Sequence, residues 1–339
     1  MLSNGYDYTC YRCRSMDLDW ILPRDIVEFS SILLGALILD FLYPYHSGIM
    51  YKIHPVHTSY RFVMILYKKL PKNRLMGVAL WIATVFIHTA LYMFVLYVFN
   101  SIHRVLWILF SIYLLKVSLS LKLLLDYVKA VYLHLKNRDI VHARKTVSNI
   151  VRRNVENLYE GHIASAAIES LFESLVDGFT SPLFFYLFLG SIGALIQRLA
   201  NTMDSAVGYR EPMFKDIGWF SAKVDTFLNF VPARLTALIT LALCSIVGGS
   251  IRRSWYIYLR DRRSTESINA GNPMAATAGC LGVKLEKIES YTIGREFHLP
   301  THIDILKAVK LSIYVSIVYV VVLHLLALSV HHLIYLANI

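Results

Sequence analysis

Charge is what this chain has least of. Only 17% of its 339 residues are Asp, Glu, Lys or Arg, where soluble domains carry roughly a quarter. With 56% hydrophobic residues and a mean hydropathy of +0.50, that deficit excludes an ordinary water-soluble globule. Cysteine is sparse too: Cys10, Cys13, Cys244 and Cys280. Cys10 and Cys13 have CxxC spacing, but no second pair or histidine cluster follows at zinc-site spacing, so unligated thiols are expected. No GxxxxGK[ST] loop occurs, which excludes a P-loop nucleotide site. HExxH and GxSxG are missing as well, and no internal repeat or low-complexity tract stands out. Asp17, Asp19, Asp25 and Glu28 precede the first apolar run and no small-residue cleavage site follows it, so no cleavable signal peptide is expected.

What the chain does have is long apolar runs. Residues 30–43, 75–99, 103–123 and 309–336 read as strong spans, and 179–198 and 231–248 as weaker ones. The first weak candidate is interrupted by Pro182, Gly190 and Gly193; the second opens with Pro232 and Arg234. The expected fold is an all-α, polytopic helical membrane protein with about 4–6 membrane-embedded helices plus helices on the cytoplasmic side. The whole chain, 1–339, reads as one membrane-embedded unit. It comprises N-terminal spans (30–123), a polar region of catalytic type (138–295) and a C-terminal span (309–336).

The net charge of +11 does not point to nucleic acid, because the basic residues lie between the apolar runs, where they orient a membrane protein. Segment 44–74 holds six Lys/Arg and no Asp/Glu, and 249–308 holds nine Lys/Arg, so both are expected inside. The segment after the third span, with Lys129, Lys136, Arg138, Arg144, Lys145, Arg152 and Arg153, is expected there too. The connection 100–102 is then external. The two weak candidates must therefore both cross or neither cross. The arrangement favoured is the second, with re-entrant or protein-buried helices that leave all polar motifs on one side.

Within the polar region, Glu169, Glu173 and Asp177 fall at i, i+4 and i+8, on one face of a helix expected over about 162–177. Three carboxylates so placed suit magnesium, which takes oxygen ligands and keeps some waters; a solvated helix face would carry the same pattern. Residues 201–236 pack Asn201, Asp204, Arg210, Asp216, Lys223, Asp225, Asn229 and Arg234 between two greasy segments. Ionisable groups in such a setting usually mark a site. Arg210 and Arg234 suit bidentate capture of phosphate or carboxylate, and an interfacial arginine reaching lipid headgroups is the plainer reading. The small-residue run 267–282, with Asn269 and Gly271, suits either close backbone approach to a ligand or tight helix packing. His331 and His332 read as interfacial.

Four ordered motifs carry a resemblance: E-S-L-x-E-x-x-x-D-G at 169–178, N-T-x-D-S-x-V-G-Y-R at 201–210, G-W-x-x-A-x-x-D-x-x-x-N-x-x-P-A-R-L-T-A at 218–237, and N-A-G-x-P-x-A-A-x-A-G-x-L-G-V at 269–283. With the His54-Pro55-Val56 triplet, they resemble the CbiB/CobD family of cobalamin biosynthesis, whose members are adenosylcobinamide-phosphate synthases of the inner membrane. The likeness runs from about residue 30 to 294. The chain departs from the family pattern at Arg152-Arg153-Asn154, where GRD is frequent, at Ser174, at Leu42-Tyr43-Pro44 and at 267–273.

The resemblance implies an ATP-dependent ligase joining adenosylcobyric acid to (R)-1-aminopropan-2-yl phosphate, or a close amino-alcohol phosphate, through a new amide. For that reaction, residue type assigns the expected catalytic roles to Asp204, Asp225, Arg210 and Arg234. Asn201, Arg210, Asn229, Arg234, Asn269 and Gly271 would bind substrate or phosphate, and Glu169, Glu173, Asp177 and Asp204 would hold Mg2+. The expected setting is a multi-pass protein of the cell (inner or plasma) membrane with its site open to the cytoplasm. Its expected partners are lipid, the corrinoid and amino-alcohol phosphate substrates, and other membrane enzymes of nucleotide-loop assembly; a homo-oligomer is left open. A non-catalytic AmpE-like signalling homologue and a corrinoid carrier are the alternatives. Joint retention of Asp204, Arg210, Asp225, Asn229 and Arg234 counts against a bare scaffold, and the lack of repeated halves counts against a carrier.

Overall fold

Long apolar runs with few competing polar groups become long helices, and short polar caps end them. The computed structural model describes residues 20–337, with side chains as far as Ser329; Cys10, Cys13 and the side chains of His331 and His332 lie outside the described residues. Helix α1 (Ile26–Leu42) starts where the Asp25 carboxylate accepts the N–H of Glu28 at 2.8 Å. A short α2 (Gly48–Lys52) leads to α3 (Pro55–Lys69), capped by His54, whose Nδ1 accepts the N–H of Val56 at 3.2 Å. Helix α4 (Arg74–Ile102) is capped by Asn73, and a single extended residue, His103, turns the chain into α5 (Arg104–Ser118). After a two-residue break the direction continues in α6 (Leu121–Lys136), and α7 (Ile140–Val147) folds back against it.

Four stretches are long and apolar enough to cross a membrane: Arg74–Ile102, Arg104–Lys136, Glu160–Val207 and His302–Ser329. The protein is thus polytopic and helical, as its composition predicts. Only 22% of the apolar window of α4 is buried, against 67% for Glu160–Val207, so α4 faces outward and the third stretch forms the core. The predicted first span is α1, whose 17 residues reach only about 25 Å at 1.5 Å per residue, short of a hydrocarbon core of about 30 Å. It packs instead on α5 and α14.

The third stretch is not one rod. It comprises α8 (Glu160–Leu175), a π-helical turn (Val176–Thr180) and α9 (Ser181–Val207), and α9 contains a break at Leu189 and Gly190. Gly190 sits at φ 60°, ψ −157°, a combination open essentially to glycine alone. A Cβ on Gly193 would meet the carbonyl of Phe185, although residues eight apart in an unbroken helix stand about 12 Å from each other. A Cβ on Gly178 would likewise lie 3.8 Å from Arg198 Nη1. The chain therefore reverses at Gly190 into a helical hairpin. The predicted span 179–198 is the tip of that hairpin, with 181–188 on one arm and 191–198 on the other.

Helices α10 (Trp219–Leu228) and α11 (Phe230–Ala242) meet at Asn229 with a 44° bend, forming either a broken span or a re-entrant pair. Then follow α12 (Ile251–Asp261), α13 (Gly271–Leu281), a β-hairpin of β1 (Leu285–Lys287) and β2 (Tyr291–Ile293) paired antiparallel, and α14 (His302–Ala337). The small residues of α13 serve packing: 271–280 are all buried, and a Cβ on Gly279 would collide with the backbone of Ser254 on α12. One apolar core runs from Phe29 and Ile32 on α1 through Leu171 and Leu195 on the hairpin to Leu311 on α14.

Candidate active site

The hairpin makes the site by placing its two polar stretches face to face. Asp177 lies on the π-helical turn of the first arm, and Asn201 and Asp204 lie on the second. Asp225 and Asn229 come from the α10–α11 bend. Asn229 is buried and fixes the group: Gln197 Nε2 donates to its Oδ1 at 3.1 Å, so its amide nitrogen is turned to the acids. That nitrogen donates to Asp177 Oδ1 and to Asp225 Oδ2, each at 3.0 Å, using both hydrogens. Asn201 Nδ2 donates to the other oxygen of Asp225 at 3.3 Å. Two carboxylates are thus drawn together with only amides between them, and among the described residues no ion pair reaches Asp177, Asp204 or Asp225.

Asp177, Asp204, Asp225 and Asn229 line a cavity of about 620 Å³ together with Glu173, Arg210, Lys223, Asn269 and Lys287. A second lobe of about 420 Å³ shares Glu173, Asp177, Asp204 and Lys287 with it and adds Arg152, Glu169 and Ser174. Glu173 and Asp204 accept no side-chain hydrogen bond among the described residues and face the open space. Glu169 is committed elsewhere: it accepts from Ser165 Oγ at 2.5 Å, Tyr291 Oη at 2.6 Å and Arg153 Nη2 at 3.1 Å. Burial beside the Glu169 carboxylate raises the Tyr291 phenol well above its ordinary value, which keeps it a donor.

The remaining predicted residues are placed less uniformly. Arg210 stands at the mouth, with 78% of its side chain exposed and Glu266 3.8 Å away. Arg234 does not line the cavity. Its Nη1 donates to the Phe230 carbonyl at 2.6 Å and to Asn269 Oδ1 at 3.3 Å, and its guanidinium stacks 3.4 Å from the Phe230 ring. It therefore holds Asn269, which does line the cavity. Gly271 is buried against the backbone of Arg262 and stays out of the lining. Sequence reading missed Arg152 and Lys287, which face the acids, because both lie in basic segments counted only for orientation. Arg152 stacks on Tyr209 and donates to the Ser205 carbonyl at 2.9 Å. It missed Arg198 too, though a lone cation in the apolar run 179–198 was a legible signal.

The oxygen-only donor set, the unpaired acids and the cations beside them fit a magnesium ion that brings phosphate and water as its other ligands. No three His, Cys, Asp or Glu side chains among the described residues close into a complete metal site.

A third cavity, of about 470 Å³, adjoins these at Asn201 and Ser205 and is lined by His46, His54, His57 and several tyrosines, with Arg198 its one charged lining residue. Burial beside His46, Arg198 and Lys116 holds His54 down at about 3, and burial with Lys116 close by lowers His46 as well. Both rings are neutral at physiological pH.

Residues 33–321 match the protein family described as CobD/Cbib protein. The "Probable cobalamin biosynthesis protein CobD" of Aeropyrum pernix is 42% identical over 302 residues, covering 89% of this chain and 93% of the relative. The protein of the same name from Methanothermobacter thermautotrophicus is 37% identical, covering 83% and 92%. The "Cobalamin biosynthesis protein CobD" of Clostridium perfringens is 36% identical, covering 73% and 79%. No solved structure matches the chain significantly.

Proposed function

This chain belongs to the CobD/CbiB family, and from that premise we propose that it is the ATP-dependent ligase that joins a corrinoid carboxylic acid to an amino-alcohol phosphate. Its role in cobalamin biosynthesis follows from the names its relatives carry. The observation that carries the finer reading is the convergence of Asp177, Asp204 and Asp225 in one cavity with Arg152, Arg210 and Lys287 around it.

A carboxylate is a poor electrophile, so the reaction would run in two steps. A carboxylate oxygen of the acid attacks the γ-phosphorus of ATP, and ADP leaves. The amine nitrogen then attacks the acyl carbon, phosphate leaves, and the amine loses a proton. Magnesium held by Asp177 and Glu173 with the nucleotide phosphates would neutralise charge on their oxygens. Arg152 and Lys287 would take the transferring phosphate from the other side. Asp225, gripped by Asn201 and Asn229, serves as a fixed negative wall. Asp204, whose carboxylate is engaged by no donor, is the better placed of the two to accept the amine proton. Glu169 is a structural anchor in this scheme and not a metal ligand.

The test is turnover by detergent-purified protein given adenosylcobyric acid, magnesium-ATP and aminopropanol phosphate, with mass spectrometry of the products. The amide is expected only when ATP and amine are both present. Folded protein that makes no product from several amines would identify a non-catalytic relative instead.

A further inference from the structure

The cavity behind Asn201 has the opposite electrostatic character from the acid-lined one. None of its lining residues is an Asp or Glu, and Arg198 is its one charged wall. Arg198 lies on the second hairpin arm, across Gly178, where a Cβ would stand 3.8 Å from its Nη1. Among the described residues its one side-chain hydrogen bond is a long one, Nη1 to Asn201 Oδ1 at 3.4 Å, and its buried Nε has no partner. A guanidinium offers five donors, so most of this fork is unspent inside a membrane-embedded core, where unpaired cations are rare and functional.

A second cation backs the first. Lys116, 4% exposed, reaches His46 Nε2 at 2.9 Å, and His46 lines the same cavity. An ammonium donating to that nitrogen makes His46 an acceptor there, so positive charge lies behind the histidine wall; Asp40 and Asp177 act on these cations through space from outside the cavity, and no acid lines the cavity itself. Asp40, also buried, accepts the backbone N–H of Lys122 at 3.0 Å and forms no ion pair among the described residues. The cavity's demand is for an anion. Its place is also informative, because Asn201 bonds Arg198 on one side and Asp225 on the other. An oxyanion held by Arg198 would sit next to the acid cavity and outside the nucleotide's own metal-phosphate space.

We propose that this cavity is an oxyanion subsite in which Arg198 receives the carboxylate or the phosphomonoester of a substrate other than the nucleotide. The inference rests on the ligase reading above. The carboxylate would come from the corrinoid acid, whose ring would have to lie at the mouth of a space this small. The phosphomonoester would come from the amino-alcohol phosphate.

Equilibrium binding to the full chain in detergent separates the two sources. One pair of probes is cobyric acid and its neutral amide; the other is aminopropanol phosphate and aminopropanol. The wild type should prefer the anion in one pair by at least about tenfold, and Arg198→Met should abolish that preference while leaving magnesium-ATP binding unchanged. The pair that responds identifies the source. No preference in either pair, or a preference that survives Arg198→Met, overturns the proposal. If Arg198→Met is not recovered folded, Leu123→Trp fills a wall of the same cavity and should weaken the same anion about tenfold, and unchanged affinity would overturn the proposal equally. Anion preference lost in Arg198→Met without any amide product would sink the ligase reading and keep the subsite. Product formation with the preference intact in the variant would do the reverse.

Discussion

At the scale of single residues, the site is a contest between carboxylates that repel and amides that hold them together. Asn229 settles it by giving one hydrogen to each of two acids, which leaves Asp204 as the aspartate of the cluster with no donor. Asp204→Asn keeps the shape and removes the charge. It should lower turnover by about 10²–10⁴-fold, the span typical of a lost general base, with an unchanged gel-filtration profile; turnover within a few-fold of wild type would move the base elsewhere. His54 gives a pH signature. Its folded value is about 3 against an ordinary 6.5, so below pH 6.5 the unfolded chain takes up the proton and the folded chain does not. Stability contributed by the neutral ring is full above pH 6.5 and falls as the pH drops, by up to about 2 kcal/mol at pH 5. Asparagine preserves a cap at the start of α3 without titrating, so His54→Asn should narrow the fall in melting temperature between pH 7.5 and 5. An identical fall in both proteins would rule His54 out as the cause. The acids and amides of the site were legible from residue type. Arg234 was not, because whether its guanidinium faces a cavity or a neighbour depends on how α11 is turned against α13.

At the scale of elements, the decisive feature is the hairpin, and only part of it could be read. Pro182, Gly190 and Gly193 marked the apolar run as broken, yet a glycine in a sequence does not say whether a helix bends or reverses. The reversal needs the φ 60° of Gly190 and close approach of the returning arm, a tertiary fact. The first arm is tied down at the π-helical turn, where the N–H of Ser120 donates to the Gly178 carbonyl at 2.9 Å and Thr180 Oγ1 meets Thr236 Oγ1 at 2.8 Å. A Cβ on Gly178 would run into Ser120 Oγ. Gly178→Ala should therefore push the turn off α6, pull Asp177 from Asn229 and depress both melting temperature and turnover. Removing the hydroxyl leaves only an ordinary 3.6 Å contact to Ser120 Cβ. Ser120→Ala/Gly178→Ala should then recover most of both losses. A double variant no better than the single one would mean that the turn needs glycine for its backbone and not for this gap.

At the scale of the whole molecule, the hairpin answers a question that span counting left open. A straight helix over Glu160–Val207 would put the two ends of the polar region on opposite faces of the membrane. The reversal brings 201–207 back alongside 169–178, so 169–178 and 201–230 build one site. The mouth of that site can be placed against the basic loops. Arg210 and Glu211 line it, and the turn that follows them is tied to the end of α3 and the start of α4: Tyr67 Oη donates to the Met213 carbonyl at 3.1 Å, Arg74 pairs with Asp216 at 3.4 Å, and a Cβ on Gly77 would strike the Ile217 carbonyl. The mouth therefore shares a side with segment 44–74, which carries six basic residues and no acid; the positive-inside rule makes that side the expected cytoplasmic one, the side the ligase reading requires. The 29 residues of α4 span about 43 Å, so its two ends report opposite faces. In a Cys10→Ser/Cys13→Ser background, where Cys244 and Cys280 are buried, Ser101→Cys should react with a membrane-impermeant maleimide on intact cells. Lys72→Cys and Lys223→Cys should react only after permeabilisation. Labelling of Lys223→Cys together with Ser101→Cys would turn the site to the outer face and remove it from cytoplasmic ATP, an outcome the ligase reading would not survive.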